Sequence, residues 1–389
     1  MTSDKMILSS LQLTNFRSYA RASFSFSPAT TLILGPNAAG KTNMLEAVYL
    51  LATGKSFRAQ HDREMIRWGQ ELGRVSAEVA STFSASPPSL SPSAPPAKSA
   101  NGVALLEKGR LPAPDQKKLE VVITSGSVGG QKAPTKKYLI NGVPRRMIDF
   151  VGNLRAVLFW PEHLELVTDS PSLRRSYLDS ILVQVDREYR RNLVSYERAL
   201  RQRNRLLDLI NEGKAHRHQL LFWDQLLIRT GSYLTDKRNQ YLDFVNKYET
   251  TGMKYQVVYD KSVISESRLI QYAQEEIAAK ATLVGPHRDD FDVVMGKNLS
   301  LAAYGSRGEQ RLAVLWLKLA ELKYNERETG DRPLLLLDDI FSELDTDHQA
   351  IVLQLVNEHQ TLITSADPEI ATLLKKKKLV ELKILNLRG

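Results

Sequence analysis

Residues 35–42 read Gly-Pro-Asn-Ala-Ala-Gly-Lys-Thr, the pattern G-x-x-x-x-G-K-[ST] in full. No other stretch restricts the possible folds as much, because this pattern works only where a strand hands over to a helix. Glycines let the backbone curl until successive N–H groups point inward, and the following helix adds the positive end of its dipole. The flanks meet that requirement. Thr31 to Leu34 is a compact apolar strand, and Lys41 to Thr53 carries Met44, Leu45, Val48 and Leu51 at the spacing of an amphipathic helix. Gly35, Pro36, Asn37, Ala38, Ala39 and Gly40 are therefore expected to cradle the phosphates of a nucleotide. Lys41 would reach the β- and γ-phosphates, and Thr42 would place its hydroxyl on Mg²⁺.

An acidic strand to match the loop comes late in the chain. Leu334 to Leu337 is a run of four leucines ending in Asp338-Asp339, the form of a buried parallel strand that delivers carboxylates at its C-terminal end. Asp338 is the expected metal-side carboxylate, and Asp339 is placed to orient or deprotonate an attacking water. Between loop and acids lies Tyr304-Gly305-Ser306-Arg307-Gly308-Glu309-Gln310-Arg311, followed by a strong helix. Alone, Ser306 reads as a helix cap. Its position changes that, because the 28 residues from Gln310 to Asp338 leave room for one helix, a turn and a strand. In this order the chain resembles the ABC ATPases, with Ser306, Gly308 and Gln310 as their signature and Ser342 and Asp345 as their D-loop. The resemblance implies that Ser306 closes over a nucleotide held by a second copy, giving an ATP-dependent homodimer.

Strand-like segments also occupy Ile7 to Leu13, Ser23 to Phe26, Arg74 to Phe83, Leu119 to Thr124 and Lys136 to Ile140, the last running into the hairpin dipeptide Asn141-Gly142. Eight of the 16 prolines fall in residues 86–135, which read as a disordered insertion with little to bury. From Ser172 to Lys247 there is no proline, and the pattern predicts two long helices with a turn near Gly213. The stretch Arg174 to Arg217 holds 11 basic against 6 acidic residues, so it supplies more than half of the net charge of +9. A basic excess of this kind suits a polyanionic partner. No apolar run reaches the roughly 18 residues of a membrane span, and the protein is expected to be cytoplasmic and without a membrane partner.

Lys41 and Ser306 are 265 residues apart with the helices between them, which resembles the DNA-repair branch of the ABC ATPases. Its long-armed members carry a Cys-x-x-Cys zinc hook, and this chain has no cysteine. The short-armed RecF family remains, and local stretches resemble it closely. They include Leu11 to Tyr19, Gly54 to Arg58, Phe159 to Val167, Pro171-Ser172-Leu173-Arg174-Arg175-Ser176-Tyr177-Leu178-Asp179 and Gly285-Pro286-His287-Arg288-Asp289-Asp290. The resemblance implies an α/β fold: a two-lobed ABC-type P-loop ATPase head with an inserted helical arm. The lobes are expected at 1–170 and 251–389 and the arm at 171–250.

The same resemblance implies weak hydrolysis of ATP with Mg²⁺, binding to gapped or junction duplex DNA, RecR as partner and help in loading RecA. It also places Arg17 near the nucleotide phosphates. Lys55, Arg58, Arg187, Arg190 and Arg191 are candidate DNA contacts, with Arg198, Arg201, Arg203 and Arg205 in the same basic run. Departures from the ABC pattern are Asp339 in place of a glutamate, Thr364-Ser365 in place of a switch histidine, and no clear Q-loop glutamine near Pro161-Glu162. His287 and Arg288 have no metal-ligand spacing. The rival readings are another clamp of this superfamily or a P-loop kinase of small molecules.

Overall fold

The computed structural model describes residues 5–82, 115–249, 254–296, 298–342, 344, 346–376 and 381–387. The first element, β1 (Lys5–Phe16), turns sharply into β2 (Tyr19–Ser25), and β3 (Thr30–Leu34) then leads into α1 (Lys41–Thr53). Next come β4 (Leu72–Thr82), β5 (Asp115–Thr124), a small hairpin of β6 (Ser127–Val128) and β7 (Gln131–Lys132), then β8 (Lys136–Ile140) and β9 (Val143–Arg145). These strands, apart from β3 and the small hairpin, form one antiparallel sheet in the order β2-β1-β4-β5-β8-β9. Residues 115–135 are therefore not part of a disordered insertion. β5 pairs along its length with β4, Val75 opposite Val121, because its alternate residues Leu119, Val121 and Ile123 supply one buried face. The rest of the expected insertion, residues 86–114, lies outside the described residues.

A second sheet is parallel. After α2 (Met147–Phe150), β10 (Ala156–Phe159) begins it, in the order β10-β14-β15-β3-β16 with β14 (Leu334–Asp338), β15 (Thr361–Ser365) and β16 (Leu382–Asn386). The boundary expected at residue 251 is thus wrong for the acidic strand. β14, β15 and β16 come from the end of the chain but share a sheet with β3 and β10. The reason is burial on both faces: Leu335, Leu336 and Leu337 are fully enclosed, each worth about 1.5–3 kcal/mol. The buried Gln360 amide ties the two sheets together, bonding to Leu8 on both sides and to the Ser27 carbonyl.

The helices are α3 (Glu165–Thr168), α4 (Pro171–Val185), α5 (Arg187–Asn211) and α6 (Leu221–Lys247). The single helix expected before Gly213 is two, because Asp186 leaves helical geometry and its carboxylate caps α5 through the Glu188 and Tyr189 amides. α4 packs on α1 and on the signature helix, so the arm proper is the α5–α6 hairpin. A third sheet of β11 (Tyr255–Asp260), β12 (Asp290–Met295) and β13 (Leu299–Ser300) lies against α6. Around it are α7 (Glu266–Gln271), α8 (Ala273–Ala279), α9 (Leu301–Tyr304) and α10 (Arg307–Thr329). α11 (Thr346–Glu358) and α12 (Glu369–Lys376) complete the fold. Among the described residues no helix is long and apolar enough to cross a membrane.

Candidate nucleotide site and nucleic-acid contacts

The loop at 35–42 leaves the C-terminal end of β3, an inner strand of the parallel sheet, as ligand loops of such sheets do. Gly40 has φ +94°, and a Cβ there would stand 2.8 Å from the Tyr19 hydroxyl, which itself donates to the Gly40 carbonyl. Pro36, Asn37 and Ala38 are exposed, and Ala38 is also left-handed at φ +67°. The Lys41 ammonium, nearly buried, donates to the carbonyls of Gly35 at 2.8 Å and Pro36 at 3.0 Å, so the cation lies within the turn of the loop. This is a preformed anion cradle with its counter-charge already inside it.

The Thr42 hydroxyl donates to Asp338 Oδ1 at 3.1 Å, and Thr364 donates to the same oxygen at 2.6 Å. Burial pushes the Asp338 carboxyl above the usual carboxylate range, while the two threonine hydroxyls and the Arg58 and Lys41 charges pull it back. A hydroxyl and a carboxylate oxygen this close form the hard-oxygen donor set that Mg²⁺ requires, so Thr42 and Asp338 fit the expected metal role. Asp339 adopts φ +49°, pinned by its amide to both the carbonyl and the hydroxyl of Thr364. Thr364 at the switch position therefore binds both acids. Ser342 donates to the Asp339 carbonyl, whereas Asp345 lies outside the described residues.

Sequence reasoning missed Glu162. Its carboxyl is raised by burial and by the charge of Asp338, and Arg58 counters both. Glu162 follows β10, which is parallel to β14, so the two acids emerge at adjacent C-terminal strand ends. That placement could have been inferred from Pro161-Glu162 closing an apolar strand. Arg58, offered as a DNA contact, is exposed at this rim and bonds Asn43 of α1 at 3.1 Å. Arg17 is held from the side of α1. Its guanidinium holds the fully buried Glu46 carboxylate at 2.8 and 2.6 Å and the Glu64 carbonyl at 2.8 Å, which leaves one N–H on each terminal nitrogen for a further acceptor.

Ser306 is the N-cap of α10 and exposed. It forms a reciprocal capping box, taking the Glu309 amide at 3.3 Å and donating its own amide and hydroxyl to the Glu309 carboxylate at 2.8 Å. These bonds hold that carboxyl below its usual range. Gln310 reaches back to the carbonyls of Leu301 and Gly305 and so shapes the turn rather than facing outward. Gly308 is exposed, and a Cβ there would meet only the Ser306 hydroxyl, at 4.0 Å. Nothing among the described residues requires a glycine at that place.

The family model described as RecF/RecN/SMC N terminal domain matches residues 7–384. The "DNA replication and repair protein RecF" of Lachnoclostridium phytofermentans is 34% identical over 372 residues, covering 92% of both chains. That of Roseiflexus castenholzii is 36% identical, covering 92% of this chain and 93% of its own. The chain belongs to the RecF family. A solved structure of the recombination mediator protein RecF-ATP in the RecFOR pathway superposes with a TM-score of 0.78 at 29% identity, covering 93% of this chain and 92% of that one. The RecF-ATPrS structure of the same pathway gives 0.77, covering 94% of each.

The basic run on α5 divides by helix face. Arg190 and Arg203 are buried and therefore wrong as surface contacts. Arg190 donates to the Val183 carbonyl, and Arg203 pairs with Asp224 at 2.6 Å and Glu276 at 2.7 Å. Arg187, Arg191, Arg198, Arg201 and Arg205 lie on the opposite, exposed face at spacings of four, seven, three and four. Arg187 is paired with Asp149 and Arg191 with Glu188. Lys55 is exposed and bridges to Glu197 at 3.4 Å. The two acids of α5 nearest the outer arginines are thus drawn elsewhere, since Asp208 pairs with Lys280.

Proposed function

We propose that the protein is an ATP-driven DNA clamp of recombinational repair and replication-fork maintenance, working in the cytoplasm. The backbone amides of residues 35–40 and Lys41 bind the triphosphate. Thr42 and Asp338 would hold Mg²⁺, which when bound screens the charge on the phosphate oxygens. Asp339 orients the attacking water, and being one methylene shorter than glutamate it makes turnover slow. Ser306 and the amides opening α10 of a second copy close over the γ-phosphate, so nucleotide binding drives a homodimer. The outer arginines of α5 neutralise DNA phosphates without reading sequence. Recognition of gapped or junction duplex, partnership with RecR and assistance to RecA loading complete the reading.

The observation that carries it is the exposed Ser306 turn, whose side chain bonds, among the described residues, only to its own helix, in a chain whose loop at 35–42 already holds Lys41 and Thr42 in place. A kinase of small molecules has no use for such a turn. Light scattering with and without a non-hydrolysable ATP analogue tests the dimer. Binding to gapped and blunt duplexes under the same conditions tests the clamp. A protein that stays monomeric with nucleotide and Mg²⁺ at micromolar concentration overturns it.

A further inference from the structure

Two sequence stretches singled out above play no part in the nucleotide site, the start of α4 and Gly285 to Asp290. The fold joins them, although they are more than 100 residues apart. Arg174 holds Asp290 through two bonds, at 2.6 and 2.9 Å. Arg238 of α6 bonds Asp179 at 2.8 Å, the buried Asp289 at 3.1 Å and the Pro286 carbonyl at 2.6 Å. Asp289 also accepts from the Ser262 amide and the Tyr259 hydroxyl. Gly285, at φ +124°, has no room for a Cβ, which would lie 2.4 Å from the Tyr196 hydroxyl. His287 is fixed by Tyr196 at 2.7 Å and the Thr282 carbonyl at 2.9 Å, and burial lowers its pKa to about 4, so it brings no charge. The turn is rigid.

Four arginines meet three carboxylates here, and Arg174 and Arg238 hold all three. Arg175 is left with a single bond, to the Asp289 carbonyl at 2.9 Å. Arg288 is exposed, with only the Thr282 carbonyl at 3.5 Å. Neither has a carboxylate partner among the described residues. Burial, followed by the like charge of Arg238, holds Arg175 below the ordinary arginine range, while the Asp290 and Asp289 charges pull it back up. A half-buried cation whose neighbouring carboxylates are already bonded to other arginines is stabilised by an incoming anion. Guanidinium groups match the oxygens of a phosphate better than any other side chain.

We propose that Arg175 and Arg288 form an anchor for one phosphodiester of the DNA backbone, at the base of the arm. The anchor rests on the DNA-clamp reading and adds to it a fixed contact separate from the flexible arginines of α5. Free phosphate shares the chemistry, but the ATP phosphates have their own cradle at 35–42. The DNA backbone is the source assigned.

The test is duplex binding by the full-length chain across a salt series, with ATP present. The double variant Arg175→Gln/Arg288→Gln should lose roughly tenfold in affinity. The slope of log affinity against log salt should flatten by about one, for one phosphate released. Lys132→Gln/Lys137→Gln removes the same charge at exposed positions of the antiparallel strands and should leave the slope unchanged. If the double variant melts early, Arg288→Gln alone, at an exposed position, must still flatten the slope. An unchanged slope in a folded variant, or an equal loss in the lysine control, overturns the anchor. So does binding of inorganic phosphate by the wild type that disappears in the variant while the DNA slope persists. A wild type that binds no DNA at all removes the clamp reading as well, which separates the two failures.

Discussion

The two ends of the nucleotide machinery are built on opposite plans. At the loop, Lys41 sits on the carbonyls of Gly35 and Pro36, and Thr42 and Thr364 converge on one oxygen of Asp338. The charged and hydroxyl side chains of Lys41, Thr42 and Asp338 are each paired with another group of the same site. At the start of α10, the Ser306 side chain pairs with Glu309, Gly308 faces open space, and the turn is exposed. The first arrangement is complete in one chain. The second is a capped helix terminus whose outer surface is exposed. The difference teaches that binding and closure are separable, so substitutions at the two ends should fail in different ways.

The largest effect is expected from Lys41→Ala. It removes the only cation buried in the loop and should lower ATP affinity by about a hundredfold or more, read by titration with a fluorescent nucleotide. Retained binding would break the comparison at its first term. Ser306→Ala should leave ATP binding by monomers largely intact yet weaken nucleotide-dependent dimerisation at least roughly tenfold, with about 1 kcal/mol of stability lost with the cap. Ser306→Asn separates the two losses. It restores the cap and the melting temperature but not the dimer, and recovery of both would reduce Ser306 to a capping residue.

Asp338→Asn should abolish turnover and raise the stability of the nucleotide-free protein by about 1 kcal/mol. The sign follows from the raised carboxyl. Its folded-state pKa lies above the unfolded one, so the cost of holding the ion is absent at low pH. That cost grows as pH rises from the unfolded toward the folded value, and is present in full above it. The gain from asparagine must therefore widen with pH in melting experiments, and a gain independent of pH contradicts the buried-ion account. The smallest effect sharpens the other end. Gly308→Ala should stabilise the fold by about 0.5–1 kcal/mol, as alanine does in a helix, while dimerisation weakens because a Cβ meets the approaching surface. An unaffected dimer would show that nothing approaches there.

Much of this was legible in the sequence. The loop, the strand before it and the helix after it occupy consecutive residues, and the leucine run ending in Asp338 announced a buried strand. Order along the chain, not distance, linked Ser306 to them. Other parts were not legible. Arg190 and Arg198 are the same residue type on the same helix, yet one is buried on the Val183 carbonyl and the other exposed. Nothing in the sequence around Arg17 announced that Glu46, 29 residues away, would orient its guanidinium. Glu162 gained its meaning only when β10 paired with β14.

What the sequence determined by itself was the chemistry that local backbone geometry can encode. A loop of eight residues, a capping turn and a run of apolar residues need nothing beyond their neighbours. The tertiary structure alone decided which charges remain available. An arginine becomes a surface cation, a buried strut or a phosphate contact according to which carboxylate the fold brings within about 4 Å. That depends on pairings between residues far apart in the chain, such as Arg174 with Asp290 and Arg203 with Glu276.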